Sequence, residues 1–266
     1  MKVPFIKMHG AGNDFIVIDN RPHYIQKYFD NQKLISFLCN RHLGIGADGL
    51  ILLNTKVGYS FEMVYFNSDG RVGTMCGNGG RCAVAAASRL NIIQNKTVFF
   101  AHGSEYTAHI IKNRFPEVHV KLKMNDVLLY RKENTYYFVD TGSPHHVEFV
   151  HDVMMMNVVE EGRKIRFSSA YKDQGVNVNF AKKNEGYLFV RTYERGVEDE
   201  TLSCGTGVVA CAIAAYLSDE AHKANEYHIK TKGGELKVRF SKNNNLFNNI
   251  YLEGPATFVF ESCIEI

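Results

Sequence analysis

No apolar run in this chain of 266 residues approaches the ~20 that a membrane-spanning helix needs. The opening stretch, MKVPFIKMHGAGNDF, lacks the apolar core of a secretory leader, so a cytoplasmic protein is expected. An excess of one charge is missing too. The net charge is +3 and Lys and Arg are spread along the chain, which argues against nucleic acid or a membrane surface as partner. Cysteine is sparse for the length. Cys39, Cys76, Cys82, Cys204, Cys211 and Cys263 include no C-x2-C pair, and Cys76…Cys82 and Cys204…Cys211 are too widely spaced for a zinc knuckle. Neither a disulfide framework nor a metal site is expected, and Cys39, Cys82, Cys211 and Cys263 read as small buried hydrophobes. The remaining composition, 45 % apolar and 22 % charged, is that of a globular protein able to bury a substantial core.

What is present is a pattern written twice. Residues 75–90 read MCGNGGRCAVAAASRL and residues 203–218 read SCGTGVVACAIAAYLS. Cys76 and Cys204 are 128 positions apart, and other features keep nearly that interval: Asn13 and Ser143, Gly49 and Asn177, Asn67 and Arg195, Gly103 and Gly233. Repeated correspondence at one offset is the mark of a tandem duplication. The expected boundaries are 1–117, joined by a C-terminal strand at 256–266, and 118–255, with a cleft between the two.

Each half reads as strand, short helix, two strands, a Cys-Gly loop, a long small-residue helix, then alternating strands. Asp30 is the expected N-cap of a helix over 32–40. Asp152 plays that part in the second half, with Gly162 as its stop. The helices over 79–90 and 208–217 are apolar on nearly every side, which places each inside a sheet wrapped around it. The expected fold class is therefore α/β (α+β), with two pseudo-symmetric halves, each a barrel-like sheet around a central buried helix. GIGADG at 44–49 matches a dinucleotide fingerprint by spelling, but a helix precedes it and a strand follows, so it reads as a turn. Asn95-Lys96-Thr97 is a glycosylation sequon by spelling only. The run Met154–Met156 reads as core.

A helix start offers unpaired N–H groups and a partial positive charge, and glycine there admits a ligand close to the backbone. CGNG and CGTG each read as an anion cradle with a thiol at its rim, in a field that favours thiolate. If the halves face each other, both cradles can grip one carboxylate with a thiol on either side of its α-carbon. One thiolate then removes the α-proton and the opposite thiol delivers another, while the helix ends stabilise the carbanion spread into the carboxylate. This chemistry asks for no cofactor.

The motifs GAGNDF, GIGADG, FNSDG, MCGNGGRC, GSPHH, GVNVNF, YERG and SCGTG, spread over essentially the whole chain, resemble the diaminopimelate epimerase family. The resemblance implies an isomerase of lysine and peptidoglycan-precursor biosynthesis, cofactor-free, cytoplasmic and often homodimeric, acting on a small molecule. It implies Cys76 and Cys204 as the acid/base pair, with His145 and Glu194 beside them. Backbone groups of Gly77, Asn78, Gly205 and Thr206 would hold the reacting carboxylate. Asn13, Asn67, Asn177, Glu194 and Arg195 would hold the rest of the substrate. Arg195 suits a second carboxylate, and the asparagines suit a carboxylate and an ammonium together. Three departures bear on the distal pocket: Ser143 where Asn is frequent, Gly49 where Gln occurs, and a longer stretch before Cys204. Rival readings are a related proline- or histidine-type racemase, a phenazine-type isomerase lacking the cysteine pair, a pyridoxal-phosphate racemase and a non-catalytic amino-acid binder. Asn78 in place of the His of a CGHG loop speaks against the proline type.

Overall fold

A computed structural model describes residues 1–22, 31–219 and 224–266. The chain divides into two compact units, Met1–Leu122 with Gly254–Ile266, and Lys123–Glu253. In the first unit, β1 (Lys2–Gly10), β2 (Asn13–Asp19), β3 (Gly49–Asn54), β4 (Glu62–Asn67), β5 (Lys96–Ala101), β6 (Ser104–Arg114) and β7 (Glu117–Lys123) are hydrogen-bonded in sequence order. The last part of the long strand β16 (Leu246–Glu265) then pairs with β7 at one side and with β1 at the other, closing the barrel. Closure removes sheet edges that would otherwise be open to pairing with another chain.

The short helix α1 (Gln32–Cys39) lies outside that barrel. Its Ile35 and Leu38 pack with Ile16, Ile18, Leu50 and Leu52. Asn31 caps it, accepting from the N–H groups of Lys33 and Leu34 at 3.0 and 3.3 Å. The expected cap, Asp30, lies outside the described residues. Inside the barrel runs α2 (Gly77–Arg89), whose residues from Gly77 to Ala87 are all buried against β1, β2, β3, β4 and β6. Packing is close on the side of Gly79, where a Cβ would stand 3.2 Å from Met63 and 3.3 Å from Ile51.

The second unit repeats the plan with β8 (Tyr130–Lys132), β9 (Tyr137–Asp140), β10 (Pro144–Phe149), β11 (Asn177–Asn184), β12 (Tyr187–Glu194), β14 (Glu226–Thr231), β15 (Gly234–Asn243) and the first part of β16. A short β13 (Asp199–Thr201) hangs on β12. The outer helix is α3 (Val158–Arg166) and the inner one is α4 (Gly205–Ser218), buried against β9 to β12, β14 and β15. The repeat is visible in register. β2 runs parallel to β3 with Phe15 beside Gly49, and β10 runs parallel to β11 with His145 beside Asn177. The next strand is one residue out of step. Leu50 pairs with Phe66, but Val178 pairs with Tyr193, so Glu194 rather than Arg195 is the counterpart of Asn67. The extra residue lies in the stretch before Cys204.

Four local expectations are corrected. Asn157, not Asp152, caps α3, accepting from Glu160 N–H at 3.3 Å; Asp152 instead holds the N–H groups of Met154 and Met155 in a turn. Gly162 sits inside α3, where a Cβ would be 2.4 Å from that of Tyr193, so close approach of helix and sheet requires it. Met155 is 85 % exposed and Met154 is also outside the core, because Arg191 ties the turn's carbonyls down and leaves these side chains outward. Cys263, expected inside, is exposed near the end of β16, while Cys39, Cys82 and Cys211 are buried.

Candidate active site

The cysteines that opened the question are the N-caps of the two inner helices. In the first unit, half-buried Cys76 has extended backbone, and its Sγ accepts from the N–H of Gly79 at 3.4 Å. The sulfur thus does the work of a capping oxygen. Cys76 Sγ also faces Asn13 Oδ1, at 3.8 Å. Asn13 begins β2, and its Oδ1 also accepts from Asn78 Nδ2 at 3.4 Å. Gly77 and Asn78 follow in the first turn, both buried. Gly10 permits this, since a Cβ there would meet the carbonyl oxygen of Asn78 at 2.9 Å. Asn67 is exposed at the end of β4, across the ladder from Gly49; its backbone closes the turn to Arg71. Gly49 leaves room for Tyr65, whose ring atom would lie 2.4 Å from a Cβ there.

Two residues of this cluster escaped sequence reading. Arg81 is wholly buried, donating to Asn78 Oδ1, Gly77 O and Pro255 O. Burial pulls its pKa down to about 10, against the pull of the neighbouring Cys82 and Cys76. Its signal was a cation inside an otherwise apolar helix. Asp48 accepts from Asn13 Nδ2 at 2.6 Å and pairs with Arg41. Its signal lay in GIGADG, set aside as a turn. Asp14, flanked by Arg41 and Lys7, titrates near 2: burial works against its charge, but the hydrogen bonds from both cations outweigh burial.

In the second unit, Cys204 is 7 % exposed and its Sγ lies 3.4 Å from Thr206 Oγ1. Buried Gly205 and half-buried Thr206 form the first turn of α4. Behind them is a polar network that the sequence reading also missed in part. Asn179 donates to His146 O and approaches His145 Nδ1 at 3.1 Å, while its Oδ1 accepts from Thr192. A Cβ on Gly207 would strike Asn179 Oδ1 at 2.4 Å and stand 3.4 Å from Cys204 Sγ, so this glycine lets network and thiol converge. Strand alternation could have found Asn179, since it shares a face with Asn177.

Asn177 donates to Ser143 Oγ and Pro144 O and accepts from the N–H of Arg195. The stem of Arg195 passes over Gly175, where a Cβ would be 2.6 Å from its Cδ, and its Nη1 donates to Gln174 O. Glu194 accepts from Thr201 Oγ1 at 2.9 Å. Thus Asn177, Ser143, Glu194 and Arg195 gather around one end of the β10–β12 sheet.

His145 is 0 % exposed and its Nε2 has no hydrogen-bond partner among the described residues. Burial, reinforced by the charge of Arg195 and opposed by Asn179, lowers its pKa from 6.5 to about 3. The imidazole is neutral at physiological pH. Below pH 6.5 the unfolded chain binds a proton here that the folded chain refuses, so stability is full above 6.5 and declines as pH falls toward 3. His145→Gln is expected to flatten that decline by on the order of a few kcal/mol, read by denaturant melts between pH 7 and 4. Parallel pH profiles for the two proteins would remove His145 as its source.

This fold is shared with solved structures of other proteins. A phenazine biosynthesis protein of the PhzF family from Bacillus anthracis superposes with a TM-score of 0.77 at 12 % identity, covering 100 % of both chains. A probable proline racemase from Agrobacterium radiobacter superposes at 0.71 and 14 %, covering 99 % of this chain and 93 % of that one. Identities this low establish the fold alone. The family is established by sequence: residues 5–127 and 137–259 match the profile of diaminopimelate epimerase, and the chain belongs to that family. The diaminopimelate epimerase of Flavobacterium psychrophilum is 49 % identical over 259 residues, covering 97 % of this chain and 98 % of that protein. Among the described residues, no helix is long and apolar enough to cross a membrane and no cluster of metal-ligating side chains occurs.

Proposed function

We propose that this protein interconverts LL- and meso-2,6-diaminopimelate, with Cys76 and Cys204 as the two proton carriers. One observation carries the reading: in a member of this family, both inner helices begin with a cysteine cap followed by buried glycine. One thiol serves each face of the substrate's α-carbon. A thiolate takes the α-hydrogen as a proton and becomes a thiol. The electron pair left on carbon delocalises into the carboxylate, held by N–H groups of Gly77, Asn78, Gly205 and Thr206. The opposite thiol gives its proton to the other face and becomes a thiolate.

Asn13, Asn67, Asn177 and Arg195 hold the distal amino acid, and Glu194 lies beside the reacting centre. Neutral His145, its Nε2 without a partner among the described residues, helps set the protonation of the thiols. The protein works in the cytoplasm as a homodimer, without a cofactor. The test is a coupled assay on LL-diaminopimelate with proline and histidine as controls, run in deuterium oxide. Turnover with α-deuterium in the product is the expected result; turnover of proline or histidine instead would assign a different substrate, and binding without exchange would make the protein a binder.

A further inference from the structure

The GIGADG turn contributes one side chain, Asp48, that the two-thiol chemistry leaves without a role. A carboxylate can only accept hydrogen bonds, so at 2.6 Å from Asp48 Oδ2 the Asn13 amide must present its Nδ2 there. A guanidinium can only donate, so at 2.9 Å from Arg81 Nη2 the Asn78 amide must present its Oδ1. Each amide is therefore fixed at its far end by an ion. Their other ends meet as Asn78 Nδ2 donating to Asn13 Oδ1, and the same Oδ1 faces Cys76 Sγ at 3.8 Å. The chain of bonds runs in one direction, from a buried cation to a carboxylate. Asp48 is itself held, since Arg41 pairs with it and the N–H of Asp14 donates to it.

We propose that Asp48 is a positioning residue that locks Asn13 Oδ1 as a hydrogen-bond acceptor against Cys76, holding this cysteine as the thiol, the proton-donating form. An oxygen lone pair accepts from S–H but repels a thiolate. The Gly79 N–H on the other side of the sulfur favours the thiolate, so the lock opposes the helix terminus. The device is confined to this unit: Ser143 stands at the place of Asn13 and Val176 at that of Asp48 in the repeat. The charged or titratable groups around the cluster include Arg81 and Cys82 on α2, Lys7 on β1, Asp14 on β2, Cys39 on α1, and Arg41 and Asp48 in the loops before β3. The consequence for catalysis rests on the epimerase reading; the effect on the thiol does not.

The test is therefore made without substrate, on full-length protein carrying Cys204→Ser and Cys263→Ser, so that iodoacetamide reports Cys76. The readout is the pH of half-maximal alkylation rate. Asp48→Ala frees Asn13 to move off or to turn its Nδ2 toward the sulfur, and either change favours the thiolate. A downward shift of about one pH unit is expected. In an Asn13→Ala background the same substitution should shift it by less than about a third of that, because Asp48 acts through Asn13. Equal shifts in both backgrounds would mean a direct charge effect and overturn the proposal, as would no shift in either. Should Asp48→Ala not fold, Asp48→Asn serves the same cycle, with a smaller shift of the same sign. Loss of epimerase activity in unsubstituted protein would overturn the function while leaving this result standing.

Discussion

Cys76→Ala and Cys204→Ala are each expected to lower kcat/KM for LL-diaminopimelate by about 10²- to 10⁴-fold, the usual worth of a positioned acid or base. The two losses should be similar because one turnover needs both thiols, one to remove the proton and one to return another. Stability should separate the pair. Cys76 Sγ accepts a capping hydrogen bond from Gly79, whereas Cys204 makes no such bond to its own helix. Losing a cap costs about 1 kcal/mol, so Cys76→Ala is expected to melt a few degrees lower and Cys204→Ala close to the parent. The check is kcat/KM and a thermal melt on the same preparations. If either variant keeps more than about a tenth of parental activity, the two-base scheme is wrong.

Arg195→Ala should act on the other kinetic parameter. The side chain is laid across Gly175 and fixed at its root by Asn177, and one guanidinium nitrogen is engaged with Gln174 O. The other donors remain to hold a distal carboxylate as a fork. That contact is the same in ground and transition states, so its loss raises KM, by about 10²-fold, and leaves kcat much closer to the parent. Arg195→Lys should recover little, because an ammonium cannot reproduce the planar fork. An unchanged KM would remove Arg195 from the substrate's reach. Half-exposed as it is, Arg195 should contribute little to the melting temperature.

Much of this architecture was legible before any coordinates. The interval between the two Cys-Gly stretches announced the duplication, and the small, apolar residues behind each marked a helix with sheet on every side. Helix positions were legible in part: α1 lies over 32–39 against 32–40 expected and α2 over 77–89 against 79–90, whereas α4 begins at 205 rather than 208 and α3 starts later and ends later than Asp152 and Gly162 implied. Local capping was less legible. Asn31 and Asn157 cap the outer helices, each with a near neighbour as capable by side-chain chemistry, and only backbone geometry chooses between them. Gly162 looked like a stop because nothing in sequence records that Tyr193 lies against it.

By itself, the sequence determined the two-fold plan, the family and the pair of thiols, because these depend on residue type and spacing along the chain. Tertiary structure alone decided what surrounds each thiol. The ladder slips one residue between the repeats, making Glu194 the counterpart of Asn67, and register depends on pairing across strands, not along them. In the first unit the start of β2, the loop before β3 and the inner helix bring Asn13, Asp48 and Arg81 into one cluster beside Cys76; in the second, strands bring Asn179, Thr192 and His145 into one network near Cys204. Those partners come from strands and turns distant in sequence. Hydrogen-bond direction and burial, which set their charge and orientation, exist only once the sheet has closed around its helix.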